Sequence, residues 1–172
     1  LLRAMRVRQW VKNVLVFVPP VAGHFLDPAT LLAAVVAFLA LSFCASAVYV
    51  LNDLMDLASD RRHPAKRRRA FASGELSLRA GLLLVPLLVA VAAALAAALP
   101  TGAQLLLAAY LLATTVYTFL LKRKVLLDVF TLAFLYTLRV LLGGAATVVP
   151  VSPCLLAFSV FIFLSLAFAK RA

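Results

Sequence analysis

The run Asn52-Asp53-Leu54-Met55-Asp56-Leu57-Ala58-Ser59-Asp60 gathers three of the chain's six acidic residues into eight positions, directly after a long apolar segment. If the helix continues through the motif, Asn52, Asp56, Asp60 and Asp53 fall at about 0, 40, 80 and 100° around its axis, within one quadrant. Like-charge repulsion and the negative end of the helix dipole both oppose that arrangement unless a cation is bound. A hard divalent metal meets both objections. Mg2+ takes one or two carboxylates and completes its shell with water and phosphate oxygens, so acids beside a loop dense in Arg and Lys suit Mg2+ and a phosphorylated ligand. Asp53, Asp56 and Asp60 are the expected metal ligands and catalytic acids. The alternative is that they balance neighbouring arginines at a helix end. Zinc would call for more than the two His and two Cys present.

Other polar residues join this candidate site. In the basic run Lys66, Arg67, Arg68 and Arg69, one or two members are expected to grip phosphate, while topology and anionic-lipid contact account for the rest. Lys122, Arg123 and Lys124 divide the same way. Arg139 lies mid-way along an apolar span, where a charge costs at least about 2.5 to 3.5 kcal/mol on insertion scales, so it should point into the bundle toward a ligand or a structural partner. Asp128, about 16 Å earlier along the same helix axis, cannot be that partner. It stands at a helix start, where a capping role and a functional one are equally open. Gln9, Trp10, Lys12 and Asn13 form a polar and aromatic patch that reads either as an interfacial anchor or as part of the site. His63 before Pro64 reads as a helix stop, and Gly143-Gly144 as a point of close helix contact.

The elements that must position these groups are membrane helices. A composition 66% hydrophobic and 13% charged, with a mean hydropathy of +1.10, excludes an ordinary water-soluble domain. Apolar runs bounded by charges, prolines or glycines, without strand-like alternation, predict an all-α, polytopic transmembrane bundle rather than a barrel. Six spans are expected: Val11 to Gly23, Pro28 to Leu51, Arg79 to Leu99, Gly102 to Leu121, Val125 to Ala146, and Ser152 to Ala169. The first is short and carries Pro19-Pro20, which predicts a kink or tilt. All 172 residues read as one membrane domain whose sizeable extramembrane segment is the loop 60–77, expected to fold over the acidic motif, with a turn at Ser73-Gly74 and a helix cap at Ser77. Pro100-Thr101-Gly102 leaves room only for an antiparallel hairpin. The likeness of Val48-Tyr49 to Val116-Tyr117 does not amount to a repeat.

The net charge of +11 does not point to nucleic acid, because the basic clusters sit on alternate loops. By the positive-inside rule both ends of the chain and the acidic motif face the cytoplasm, in the plasma (inner) membrane. Cys44 and Cys154 fall within predicted spans and read as packing residues. No cleavable signal peptide is evident. The chain starts without Met and stops after Lys170-Arg171-Ala172, as expected of a piece of a longer protein.

The motif NDLMDLASD at the end of a second span, followed by an Arg-rich loop, resembles the first aspartate-rich motif of the UbiA superfamily of intramembrane prenyltransferases. Arg8-Gln9-Trp10-Val11-Lys12-Asn13, the stretch Asp60 to Arg69, and Tyr117 with Lys122 resemble the branch that includes decaprenyl-phosphate phosphoribosyltransferase. The resemblance implies nine helices around a central cavity open laterally to a polyprenyl chain, of which this chain would supply about six. It also implies Mg2+ and diphosphate held by Asn52, Asp53, Asp56 and Asp60, with phosphate contacts from Lys66, Arg67 or Arg68 and Lys122. A second aspartate-rich motif would follow span six, beyond Ala172. The expected substrates are a polyprenyl lipid and a diphosphate-bearing donor. Either a prenyl group passes to an acceptor or a phosphoribosyl group passes to polyprenyl phosphate. Two readings from other classes compete: a transporter using Arg139 and the carboxylates as a polar path, and a membrane scaffold for a fused or partner soluble domain.

Overall fold

The computed structural model describes the backbone of residues 2–121 and 125–169 and the side chains of 2–119 and 127–169. Regular structure among them is entirely helical. A 3₁₀ helix, Val7–Phe17, runs into the short α1, Val18–Ala22. Then come α2, Pro28–Met55; α3, Leu57–Arg62; a 3₁₀ turn, Lys66–Arg68; α4, Leu78–Ala96; and α5, Thr101–Val116. A π-helical turn, Tyr117–Leu121, precedes α6, Val125–Thr147, and α7, Pro153–Ala169.

Two helices form the interior. Over their most apolar 18-residue windows, α2 and α6 are 56% and 61% buried, against 17% and 22% for α4 and for α5 with its π turn. On α2 the buried positions Ala34, Ala37, Ala40, Leu41, Cys44 and Ala45 recur at helical spacing, so α4, α5, α6 and the 3₁₀ helix all pack against it. Small side chains permit that crowding in a bilayer, where helices gain little from the hydrophobic effect and associate by close packing. Pro86 inside α4 is tolerated as prolines in membrane helices commonly are.

Four of the expected spans are helices long and apolar enough to cross a membrane: α2, α4, α5 with its π turn, and α6. The first and last differ from that pattern. The 17 residues of α7 make it a shorter apolar helix, about 26 Å at 1.5 Å per residue. The first is mostly 3₁₀, which rises about 2.0 Å per residue, so its 11 residues and the five of α1 together reach roughly 30 Å, a full hydrocarbon thickness. The far end of this 3₁₀ helix meets Gly143, where an added Cβ would strike the backbone carbonyl of Val16. Gly144 is pressed in the same way by Val151 and Val149, so the Gly143-Gly144 pair serves close contact.

The larger departure concerns α2, which does not continue through the acidic motif. It ends at Met55, and Asp56, with ψ near zero, separates it from α3. Extended backbone at His63 before Pro64 then ends α3, and the His63 Nδ1 accepts the Ala65 and Lys66 N–H groups. The loop folds back so that Phe71 is buried against Leu54 and Gly81, Gly74 turns the chain at φ 83°, and the Ser77 hydroxyl accepts the Ala80 N–H to start α4. At the opposite end of α2, Asp27 caps the helix by accepting from Ala29 and Thr30. Hydrogen bonding by Thr30 holds its carboxyl below the usual range. Cys44 is buried, Cys154 is exposed at the start of α7, and neither forms a disulfide.

Replacing Gly143 with Ala should destabilise the protein by about 1 to 3 kcal/mol, because the obstacle is backbone rather than a flexible side chain. Gly102→Ala, whose added methyl has nothing closer than 3.9 Å, should leave stability unchanged. Thermal unfolding in detergent compares the two.

Candidate active site

The break at Asp56 sorts the motif into two pairs. Asp53 and Asp60 are buried (4% and 1% exposed) and meet arginines rather than facing open space. Arg6 donates to Asp53 Oδ1 at 2.5 Å, and Arg69 donates to the same oxygen at 3.2 Å and to Asp60 Oδ2 at 2.7 Å. Arg6 comes from the segment before the 3₁₀ helix and Arg69 from the loop, so two carboxylates tie three parts of the chain together. Asp53 and Asp60, expected together with Asp56 as metal ligands, are brought to a single guanidinium nitrogen, Arg69 Nη1. For Asp53 and Asp60 the compensating cations are guanidinium groups. Among the described residues no cluster of three or more His, Cys, Asp or Glu is arranged to hold a metal.

Asn52 and Asp56, by contrast, line a cavity of about 270 Å³. Around it stand Arg6, Lys12, Lys66, Arg69 and Arg139; Arg6 and Arg69 are paired with Asp53 and Asp60 behind the lining, and the remaining cations outnumber the Asp56 carboxylate. Such a lining in a low-dielectric setting favours a multiply charged anion. Its apolar wall is Ala45, Val48, Leu132 and Leu135. All four tyrosines of the chain, Tyr49, Tyr110, Tyr117 and Tyr136, also line it. One amide oxygen and one carboxylate are too few for an all-protein metal cage, yet they suit Mg2+, which draws its remaining ligands from water and phosphate.

Around the cavity, several predicted residues take specific places. Asn13 is buried, donates to Ser42 Oγ at 3.0 Å, and accepts from Arg139 Nε at 3.0 Å. Arg139, 5% exposed, points inward as its position required. The Tyr117 hydroxyl donates to Asp128, which is buried at the start of α6. Tyr117 itself opens the π-helical turn, a distortion that often marks functional sites. Trp10 donates to Ser46 Oγ at 3.0 Å and packs edge-on against Phe38 and Phe43, so it clamps the 3₁₀ helix to α2. Arg67 and Arg68 are exposed and outside the cavity lining, because the 3₁₀ turn directs only Lys66 inward before Arg69 follows. Lys122 lies outside the described residues.

Arg6 was not predicted as a site residue, and neither were Tyr49, Tyr110 and Tyr136, whereas Arg69 was one of the four candidates in the basic run. The tyrosines did carry a signal: each phenol stands in an apolar span, where a hydroxyl needs a polar neighbour. For Arg6 no local pattern distinguishes it from Arg3 or Arg8.

Residues 16–171 match the profile of the UbiA prenyltransferase family. This chain belongs to the UbiA family. Among UbiA-like relatives, the nodulation protein NoeC of Azorhizobium caulinodans is 42% identical across 98% of this chain and 55% of its own length. A protein of Sinorhizobium fredii, y4nM, is 42% identical across 99% of the chain and 33% of its own length. Decaprenyl-phosphate phosphoribosyltransferase of Mycobacterium tuberculosis is 35% identical across 98% of the chain and 58% of its own length. The chain thus spans between a third and three fifths of these relatives. A UbiA homologue from Archaeoglobus fulgidus, solved bound to DMAPP and Mg2+, superposes with a TM-score of 0.79 at 21% identity, over 96% of this chain and 60% of that one. Digeranylgeranylglyceryl phosphate synthase gives 0.78 at 17% identity, over 99% and 59%. The fold is that of a UbiA-type membrane bundle, and the protein is an integral membrane protein.

In this UbiA-family site, breaking the arginine bridge should leave Asp53 and Asp60 undercompensated. Arg69→Gln is expected to cost on the order of 3 kcal/mol, the low end for a broken buried pair because Arg69 is about a quarter exposed. Adding Asp60→Asn should recover part of that loss, since the two residues are directly coupled. Thermal denaturation of both variants and the double mutant measures the coupling.

Proposed function

We propose that this chain carries the donor site of an integral-membrane, Mg2+-dependent transferase that displaces diphosphate from an activated carbon. The observation that carries this reading is the cavity itself, where Asn52 and Asp56 stand with Arg6, Lys12, Lys66 and Arg69. Asn52 and Asp56 would hold Mg2+. Bound there, the metal would act as a Lewis acid on the leaving diphosphate.

Arg6, Lys12, Lys66 and Arg69 bind the diphosphate oxygens, and their charges count most as the carbon–oxygen bond breaks and both electrons leave with the diphosphate. Asp53 and Asp60 keep two of those arginines in place. Lys122 joins the phosphate-binding set by its position in the family-like motif. Asp128 holds the Tyr117 hydroxyl, which fixes that phenol at the cavity wall. Ala45, Val48, Leu132 and Leu135 keep water from the electron-poor carbon, leaving it to an oxygen or carbon nucleophile of the acceptor.

The favoured transfer is of a phosphoribosyl group to a polyprenyl phosphate. A relative of that named activity is 35% identical over 98% of this chain, and the density of cations suits substrates that both carry phosphate. A second reading, prenyl transfer to an acceptor, is supported by the Archaeoglobus fulgidus homologue, which binds DMAPP and Mg2+. In either case the basic loops would lie on the cytoplasmic face of the plasma membrane.

Membranes holding the full-length protein should transfer label from phosphoribosyl diphosphate to polyprenyl phosphate, and chelation of Mg2+ should stop the reaction. Label moving from a prenyl diphosphate instead would establish the second reading. Asp56→Ala should reduce turnover at least about a hundredfold. Undiminished turnover would refute the assignment of this site.

A further inference from the structure

Arg139 is a buried cation with no carboxylate partner among the described residues. Its Nε donates to Asn13 Oδ1 at 3.0 Å, Nη1 to the Leu135 carbonyl at 2.7 Å, and Nη2 to the Tyr110 hydroxyl at 3.0 Å. The Tyr110 and Tyr136 rings lie 5.2 and 4.8 Å from the guanidinium carbon. These neighbours satisfy direction but not charge. A guanidinium has five N–H groups, so one on each terminal nitrogen remains uncommitted. The same group lines the cavity.

On α5 the cavity wall runs from Tyr110 up to Tyr117, seven residues or about 10 Å along the axis, and Arg139 bonds to the lower end. A charge kept in the membrane interior at this cost, aimed into a cavity, marks a site for an opposite charge.

We propose that Arg139, with Tyr110 and Asn13 holding its plane, forms a second anion subsite at the cavity floor that takes a phosphate monoester. The inference rests on the reading of the rim as a diphosphate site and deepens it: one substrate carries a phosphate in addition to the diphosphate that leaves. That phosphate belongs either to the sugar of the donor or to the lipid acceptor. A plain prenyl diphosphate with a neutral acceptor would leave the subsite unused.

The test is binding to the full-length protein in detergent, with inorganic phosphate as probe of the floor and Mg2+-diphosphate as probe of the rim. In the wild type, saturating Mg2+-diphosphate should leave phosphate binding intact, and mutual exclusion of the two would overturn the proposal whatever the variants do. Arg139→Gln should weaken phosphate about ten- to hundredfold while Mg2+-diphosphate binds as before. Unchanged phosphate affinity in folded Arg139→Gln would also overturn it. Ribose 5-phosphate displacing the probe would assign the subsite to the donor, and a short-chain prenyl monophosphate displacing it would assign it to the acceptor. Displacement by neither would sink the inference. Failure of the wild type to bind Mg2+-diphosphate would instead refute the rim while leaving phosphate at Arg139 standing.

Discussion

Asp53 accepts hydrogen bonds from two guanidinium groups at once, and the geometry of the site depends on that carboxylate. Buried carboxylates near a membrane surface carry a large desolvation cost, which only close opposite charge offsets. Arg6 and Arg69 supply it from distant parts of the sequence, and Asp60 completes the set. A network of this kind adds little net stability compared with well-packed apolar groups, but it is specific. It accepts one placement of the loop and one placement of the N-terminal segment. Both placements bring a guanidinium to the cavity edge, so the same bonds that settle the fold also charge the site.

The hydrocarbon-embedded half of the molecule obeys a different constraint. Alanines along α2 and Gly143 on α6 let backbones approach closely, which brings the 3₁₀ helix against both interior helices. Stretching the first segment into a 3₁₀ helix lets 16 residues cover a distance that α-helix would not. That segment carries Lys12 to the cavity wall and Asn13 to Arg139 behind it. Packing and polar chemistry are therefore joined at one element: Val16 meets Gly143 on one turn while Asn13 meets Arg139 on another.

Much of this was legible before any coordinates. The helical class, the inward direction of Arg139, the close contact at Gly143-Gly144, the cap at Ser77 and the importance of the Asn52 to Asp60 motif all follow from local patterns. The division of labour within the motif did not. A uniform 100° rotation per residue places Asp53 and Asp60 beside Asp56, and helical bonds from Asp56 to Asn52 and from Asp60 to Asp56 run through the break, but that spacing does not say that Arg6 and Arg69 come to meet Asp53 and Asp60. Likewise, the run Lys66 to Arg69 announces phosphate or lipid contact without saying which members turn inward, because a single 3₁₀ turn decides that. The four tyrosines were visible individually, and their convergence was not.

Taken alone, the amino-acid sequence determined that this is a bundle of membrane helices with its charged chemistry at one rim, because hydrophobic periodicity and the cost of charge in lipid act over neighbouring residues. Tertiary structure decided which carboxylates meet arginines and which face the cavity, and that Arg139 lies at its floor. Those outcomes depend on contacts between residues as far apart as Asn13 and Arg139, and no local propensity encodes a distance across the fold.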